Sequence, residues 1–347
     1  MTAIAEITYA LSRCIGRRTL KESTITQQVS IIVIAFNEEG RIGPCLDALL
    51  KQETTVPFEV VVVDDGSRDS TVGVVEELLP AFPHLRLLRL EFNQGRGAAR
   101  RYGQDATDSP WVGFVDADIV VPSNWLDRCL MELAELDGVS GIAQPDGDCA
   151  VIWRLCKPSI RQRPGSAEIT GNNVVFSRSA LDRVAFSPHA KLGEDFRLAK
   201  IMTREGLRLR TLEDLKVQHR ETKTFLKSIV WMWHSGVDAT SLLFEFRVVR
   251  SPDLAWLAWM LVLVAAFVVD GFGAIGLLRS IVVIAAMTLF VSGLFIFSRF
   301  KVRPHLLRFL AALLINPPTM LSYLLGRTAG LFLAPHHLIQ RQRSSPV

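Results

Sequence analysis

Four short runs of β-branched and apolar residues alternate with helical patterns in the first third of the chain. They occupy residues 29–35, 58–63, 85–90 and 111–115, and all four are predicted strands. The first is suited to burial on both faces, and the second is also a buried strand. Strands that alternate with helices imply right-handed crossovers and a mostly parallel sheet. Since ligands of such sheets bind beyond the carboxyl ends of the strands, the alternation predicts an α/β domain with a cleft at that edge.

Polar clusters follow each of these four runs. They are Asn37 and Glu38 after the first, Asp64 and Asp65 after the second, Gly95, Arg96 and Arg100 after the third, and Asp116 and Asp118 after the fourth. The aspartates after the second run are suited to accept hydrogen bonds from a nucleobase or a ribose. The glycine begins a helix whose backbone N–H groups attract anions, and the two arginines are within reach of a diphosphate. We expect the four clusters to converge on one cleft.

Asp116-x-Asp118 is the sharpest of these features. Two carboxylates on alternate residues of a strand end can share a divalent cation, one directly and one through water or a ribose. Mg²⁺ and Mn²⁺ take such oxygen ligands and bridge substrate phosphates. A turn after a strand often contains D-x-D for structural reasons alone, but the VDDGS sequence at 63–67 strengthens the interpretation as a Mg²⁺ or Mn²⁺ site.

Taken in order, the motifs resemble glycosyltransferase family 2, a large inverting family with the GT-A fold. They are AFNE at 35–38, VVDDGS at 62–67, NQG at 93–95, VDAD at 115–118 and GED at 193–195. The resemblance covers roughly residues 29–220 and implies a nucleotide-diphosphate-sugar donor. It implies that Asn37, Glu38 and Asp65 surround the nucleoside. Asp116 and Asp118 would surround the ribose, the diphosphate and the metal.

The resemblance also implies that Glu194 and Asp195 supply the general base, and the family position favours Asp195. Inverting transfer needs a carboxylate that takes the proton from the attacking hydroxyl, on the face opposite the leaving group. Neighbouring acids raise one another's pKa, which prepares one of them for this role. Helix capping by both acids is the alternative. His219 is a candidate contact to the metal or the diphosphate, and residues 170–173 resemble an acceptor-side segment; a structural histidine and a tight turn are the alternatives.

Residues 218–222 lack the Q-x-x-R-W motif of processive family members. The sequence therefore predicts non-processive transfer to a lipid-linked or membrane-associated hydroxyl. One alternative is a polyprenyl-phosphate glycosyltransferase resembling dolichol-phosphate-mannose synthase, whose anionic acceptor needs no general base. A remote alternative is a non-catalytic nucleotide-binding scaffold. A sugar nucleotidyltransferase would need a basic, glycine-rich loop after the first strand, which residues 35–40 do not provide.

Apolar residues concentrate in the C-terminal part of the chain, which raises the hydrophobic share to 49%. The stretches 254–278 and 280–298 are long enough to span a membrane. The stretch 309–333 is either a kinked third span or a re-entrant hairpin. Basic residues between 299 and 308 are expected to stay inside. The sequence thus predicts an integral membrane protein with its catalytic domain at the cytoplasmic face of an inner or plasma membrane.

The predicted organisation has five parts. They are an N-terminal extension at 1–28, a GT-A domain at 29–221, an interfacial amphipathic segment at 222–253, a membrane region of two or three spans at 254–333 and a basic tail at 334–347. A helix packed on the soluble domain is the alternative for the third part. The extension has no continuous apolar run, so a cleaved signal peptide is not expected. The net charge of +4 does not indicate a nucleic-acid partner.

Overall fold

The computed structural model describes residues 28–146, 165–167, 169–189, 193–220, 224–247, 249, 251–270, 274–299 and 306–343. The chain divides into two compact units. The described residues up to 220 form an α/β unit, and those from 224 onward form a helical unit. Apart from Gln28, the predicted N-terminal extension lies outside the described residues, and so do Lys301 and Arg303, which contribute to the predicted membrane orientation.

The α/β unit is a mixed sheet with helices on both faces. Its described elements are β1 (Val29–Ala35), α1 (Ile42–Leu50), β2 (Phe58–Asp64), α2 (Thr71–Leu78), β3 (Leu85–Arg89), α3 (Arg96–Asp105), β4 (Trp111–Asp116), β5 (Ile119–Val120), α4 (Trp125–Glu132), β6 (Gly138–Asp146), β7 (Asn173–Ser177), α5 (Arg178–Arg183), α6 (Glu194–Arg204) and β8 (Leu209–Arg220). The strand order is β3-β2-β1-β4-β7-β6-β8-β5.

Strands β1 to β4 form the parallel half of the sheet, as the alternation predicts. β1 pairs in parallel with β2 and with β4, and β2 pairs in parallel with β3. Every residue of β1 is buried. Ile31 and Val33 pack into the core on one face, and Ile32 and Ile34 pack into the core on the other. Because both faces are covered by other elements, a run of β-branched side chains is favoured there.

The second half of the sheet is mixed, which the strand–helix alternation did not predict. β7 is antiparallel to β4 and to β6, β8 is parallel to β6, and β5 is antiparallel to β8. The last of these pairings matters for the site. It sets Ile119 opposite His219, so the end of β8 lies beside the residues that follow β4.

The described helices of the second unit are α7 (Phe225–Phe246), α8 (Ser251–Asp270), α9 (Ala274–Arg299) and α10 (Leu306–Arg343). α7 and α10 pack closely because glycines face the partner backbone. A Cβ on Gly236 would lie 2.2 Å from the carbonyl oxygen of Tyr323, and one on Gly326 would lie 2.2 Å from that of Trp233. α7 falls within the predicted interfacial segment, yet it packs against α10 within this unit.

In the described part of the chain, no helix combines the length and the apolar content that crossing a membrane requires. The predicted spans at 254–278, 280–298 and 309–333 are therefore not confirmed.

Candidate active site

A cleft of about 360 Å³ opens beyond the carboxyl ends of the parallel strands. Its polar lining comes from all four clusters that follow these strands, in the form of Glu38, Asp65, residues 93–96, Asp116 and Asp118. Apolar side chains from the end of β1 and from α3 complete the wall. The convergence predicted from the strand order is therefore present in the structure.

Asn37 and Asp64 shape the wall of this cleft by holding the turn that follows β2. Asn37 has φ of 56°, in the left-handed region that asparagine tolerates better than most residues. Its Oδ1 accepts a hydrogen bond from the backbone N–H of Arg68 at 2.9 Å. The buried Asp64 accepts one from the backbone N–H of Ser67 at 3.1 Å. A contact between either residue and a nucleoside stays a prediction.

Asp65 holds the loop that precedes α3. Its two carboxylate oxygens accept hydrogen bonds from the backbone N–H groups of Gln94 at 2.7 Å and Gly95 at 2.9 Å. Burial raises the pKa of Asp65, and these two hydrogen bonds oppose the rise. Gly66 has φ of 75°, and a Cβ there would lie 2.7 Å from the carbonyl carbon of Phe92. The VDDGS sequence thus positions the loop that carries the next polar cluster.

Glu38 is a carboxyl group whose charge depends on pH near neutrality. Burial raises its pKa to about 7, Arg41 opposes the rise, and the nearby Asp118 and Asp116 add to it. Glu38 forms an ion pair with Arg41, and its backbone N–H donates to Thr71 Oγ1 at 2.7 Å. At neutral pH this cleft residue can therefore either donate or accept a hydrogen bond.

His219 lies beside Asp118 as a consequence of the β5–β8 pairing. His219 Nε2 and Asp118 Oδ2 are 3.1 Å apart, and both side chains are largely buried. A carboxylate and an imidazole suit Mn²⁺, and Mg²⁺ is usually held by one or two carboxylates plus substrate phosphates. Within the described ranges, no three His, Cys, Asp or Glu side chains are grouped to hold a metal ion. The binding of Mg²⁺ or Mn²⁺ beside Asp118 and His219 stays a prediction.

Arg100 joins the D-x-D motif to the acidic pair. Its Nη2 donates to Asp116 Oδ1 at 2.6 Å, and its Nη1 pairs with Glu194 Oε1. Burial alone would lower the pKa of Arg100, but Asp116 and Glu194 raise it further than burial lowers it. Burial also raises the pKa of Glu194, and Arg100 opposes that rise. Arg96, by contrast, is exposed at the lining of the cleft.

Asp195 is the accessible member of the acidic pair. It lies in the first turn of α6, which follows Gly193 at φ of 62°. Its Oδ2 accepts a hydrogen bond from the backbone N–H of Gly171 at 3.1 Å, and its Oδ1 accepts one from that of Phe196 at 2.7 Å. Glu194 is only 4% exposed, whereas Asp195 is partly exposed. Of the two acids, Asp195 is therefore the one that an acceptor can reach.

Sequence reasoning missed two residues of the site, Arg41 and Phe186. The spacing of three residues between Glu38 and Arg41 on a predicted helix start was a usable signal for the first. Phe186 places its ring 5.4 Å from the guanidinium carbon of Arg100. It lies 86 positions further along the chain in an irregular region, and no sequence pattern indicates this contact.

Residues 30–183 match the family described as Glycosyl transferase family 2. This match covers most of the α/β unit, as the order of its motifs predicted. The family assignment confirms the resemblance drawn from the sequence, and it concerns the domain that contains the cleft.

Several curated proteins are similar to part of this chain. The succinoglycan biosynthesis protein ExoO of Rhizobium meliloti is 36% identical over 188 residues, which are 48% of this chain and 53% of that protein. Glycosyltransferase AglE of Haloferax volcanii is 35% identical over 103 residues, 29% of this chain and 33% of that protein. A dolichyl-phosphate beta-glucosyltransferase of Dictyostelium discoideum is 33% identical over 99 residues, 26% of this chain and 30% of that protein. The chain thus spans between 30% and 53% of the length of these relatives.

One solved structure resembles nearly the whole chain. It is the mannosyltransferase PcManGT from Pyrobaculum calidifontis in complex with GDP-Man and Mn²⁺. The TM-score is 0.56 and the sequence identity 21%, over 94% of this chain and 95% of that one. At this identity the likeness shows the fold alone.

Proposed function

We propose that the protein is an inverting, non-processive glycosyltransferase that moves a sugar from a nucleotide-diphosphate donor to a hydroxyl acceptor. One observation carries the proposal. Asp116 lines the cleft, and the buried guanidinium that binds it also binds Glu194, the residue that precedes Asp195. A donor-side carboxylate and an accessible base candidate are thereby held at one edge of the sheet.

On the donor side, we assign the binding of a divalent cation to Asp118 and His219. Bound there together with the donor, Mg²⁺ or Mn²⁺ would neutralise the charge that develops on the leaving nucleoside diphosphate. Arg96 and the N-terminus of α3 offer further positive charge at the cleft. The similar fold of a mannosyltransferase solved with GDP-Man and Mn²⁺ supports a nucleotide sugar and a metal.

On the acceptor side, we assign the general base to Asp195. Its carboxylate takes the proton from the acceptor hydroxyl as that oxygen attacks the anomeric carbon. The N–H groups of Gly171 and Phe196 hold the carboxylate in a fixed orientation. Inversion requires this attack on the face opposite the leaving diphosphate.

We further propose that the acceptor is lipid-linked and that the chain associates with a membrane at its cytoplasmic face. Large apolar side chains of the helical unit are strongly exposed, among them Leu261 at 70%, Val268 at 74% and Leu314 at 78%. Such a surface is unfavourable in water and favourable against acyl chains. The name of the Dictyostelium relative, a dolichyl-phosphate beta-glucosyltransferase, supports a lipid-linked acceptor.

The same name favours a second candidate, in which the acceptor is a polyprenyl phosphate. That acceptor is already ionised, so it needs no proton transfer to Asp195. Transfer that survives removal of the Asp195 carboxylate would favour this candidate over the first.

The proposed function is tested with detergent-purified protein and a panel of nucleotide sugars, with lipid extract added as the source of acceptor. We expect release of the nucleoside diphosphate from one donor, with dependence on Mg²⁺ or Mn²⁺ and loss on chelation. Absence of release from every donor, with and without extract, would contradict the proposal.

A further inference from the structure

The guanidinium of Arg100 is buried although its residue lies next to the cleft. Its side chain is 2% exposed and does not contribute to the described lining of the cleft, which includes its neighbours Arg96 and Ala99. A charge in such surroundings is unfavourable unless it is paired and hydrogen-bonded. Its two partners come from different elements, Asp116 at the end of β4 and Glu194 at the start of α6.

We infer that Arg100 is a positioning residue, which sets the distance and angle between the donor-side carboxylate of Asp116 and the base Asp195. The inference rests on the proposed function and replaces the diphosphate contact expected for Arg100 from the sequence. The guanidinium binds Asp116 directly. It reaches Asp195 through Glu194, the preceding residue in the first turn of α6.

The chemistry of the guanidinium suits this role. It is planar and carries its donors in a rigid fork, so Nη1 and Nη2 bind two carboxylates in a fixed relative orientation. An ammonium group supplies the same charge without that orientation. The choice of arginine at position 100 therefore determines geometry as well as charge balance.

Residues that pack around the guanidinium of Arg100 connect it to the base Asp195 by a second route. Phe186 lies against it, with 5.4 Å between the ring centroid and Cζ. A Cβ at Gly171 would lie 3.0 Å from Arg100 Cζ and 3.2 Å from Asp195 Cβ. Gly171 is also the residue whose N–H binds Asp195 Oδ2. Gly171 leaves no room for a side chain between the guanidinium and Asp195, so a displacement of the guanidinium is expected to reach the base through this backbone.

Arg100→Lys separates positioning from charge, and Arg101→Lys is its matched control. Arg101 is the next residue of α3, is exposed and pairs with Asp105. For Arg100→Lys we expect kcat to fall about 10- to 100-fold, because small misplacements of reacting groups have effects of that size. The donor KM and the binding of the nucleoside diphosphate should stay within about 3-fold, and Arg101→Lys should match the wild type.

Gly171→Ala perturbs the same geometry without removing a charge. We expect it also to lower kcat while leaving nucleoside-diphosphate binding unchanged. A thermal unfolding scan of each variant reports on folding, so a loss of kcat in a protein that melts like the wild type reflects positioning.

Two results for Arg100→Lys would overturn the inference. One is an unchanged kcat in a destabilised protein, which would make Arg100 purely structural. The other is a loss of nucleoside-diphosphate binding in proportion to kcat, which would make it a donor-binding residue. Failure of the wild type to use any donor would overturn the proposed function as well, so the two failures are distinguishable.

Discussion

The α/β unit and the helical unit distribute charged and apolar side chains in opposite ways. In the α/β unit the parallel strands bury their apolar side chains, and acidic groups line an open cleft. In the helical unit Asp253 and Arg327 are fully buried and pair at 2.5 Å, while Leu261 and Val268 are mostly exposed. The first arrangement suits chemistry on a polar ligand in water, and the second suits contact with an apolar medium.

The apolar exposure in the helical unit follows a helical period. On α8 the exposed large apolar side chains among the described residues are Leu254, Leu257, Leu261, Val264 and Val268. Spacings of three and four residues place them along one face of the helix. A continuous exposed apolar face more often has a binding role than single exposed leucines do.

The largest expected effect tests the chemistry assigned to the α/β unit. Asp195→Asn removes the proposed base, and we expect transfer to a hydroxyl acceptor to fall about 10²- to 10⁴-fold. Binding of the nucleoside diphosphate should persist. Asp47→Asn is the matched control, because Asp47 is an exposed aspartate on α1 that pairs with Lys51. Undiminished transfer in Asp195→Asn would favour a phosphate acceptor.

The next effect tests the buried charges of the helical unit. Arg327→Met removes the buried guanidinium that pairs with the buried Asp253, and we expect a loss of about 3–5 kcal/mol in the free energy of unfolding. Asp253→Leu combined with Arg327→Met should recover most of that stability, since no buried charge remains. Thermal unfolding in detergent measures both. A double variant as unstable as Arg327→Met would contradict this account of the pair.

Local patterns predicted the four parallel strands and the cleft at their carboxyl ends, but not the mixed half of the sheet or the contacts within the cleft. The β-branched run of β1 and the D-x-D motif are readable because a strand and its end involve neighbouring residues. His219 is 101 positions from Asp118, and Glu194 is 94 positions from Arg100. These pairings depend on the mixed half of the sheet and on the direction of single side chains. The contacts of Asp65 were likewise not predicted. Its carboxylate accepts hydrogen bonds from the backbone N–H groups of Gln94 and Gly95.

A smaller effect is expected on the stability of the protein, which should depend on pH through Glu38 in the acidic cleft. The folded state raises the pKa of Glu38 from 4.5 to about 7. Between these values the folded protein binds the proton more tightly than the unfolded one, so the stability of the wild type falls as pH rises through this window. Glu38→Gln lacks this dependence and should gain about 1–2 kcal/mol relative to the wild type from pH 4.5 to 7.5. If the free energies of unfolding of the two proteins ran parallel as a function of pH, the raised pKa of Glu38 would be contradicted.

The smallest effect on folding is expected at the exposed apolar face of α8. Replacing Leu261 and Val268 by Ser should change the free energy of unfolding by about 0.5 kcal/mol or less. It should nevertheless lower the fraction of protein that sediments with phospholipid vesicles. Glu77→Gln, an exposed substitution on α2, is the control. Equal vesicle binding by both variants and the wild type would contradict the lipid contact proposed for this face.

The central claim is that the cleft of the α/β unit binds a nucleoside diphosphate together with a divalent cation held by Asp118. Calorimetric titration of nucleoside diphosphates into the wild type, with Mn²⁺ and after chelation, tests it most directly. We predict metal-dependent binding in the wild type and in Asp195→Asn, and binding at least about tenfold weaker in Asp118→Asn, as expected for loss of a metal-binding group. Equal affinities in all three proteins, or affinities unaffected by the metal, would contradict the account.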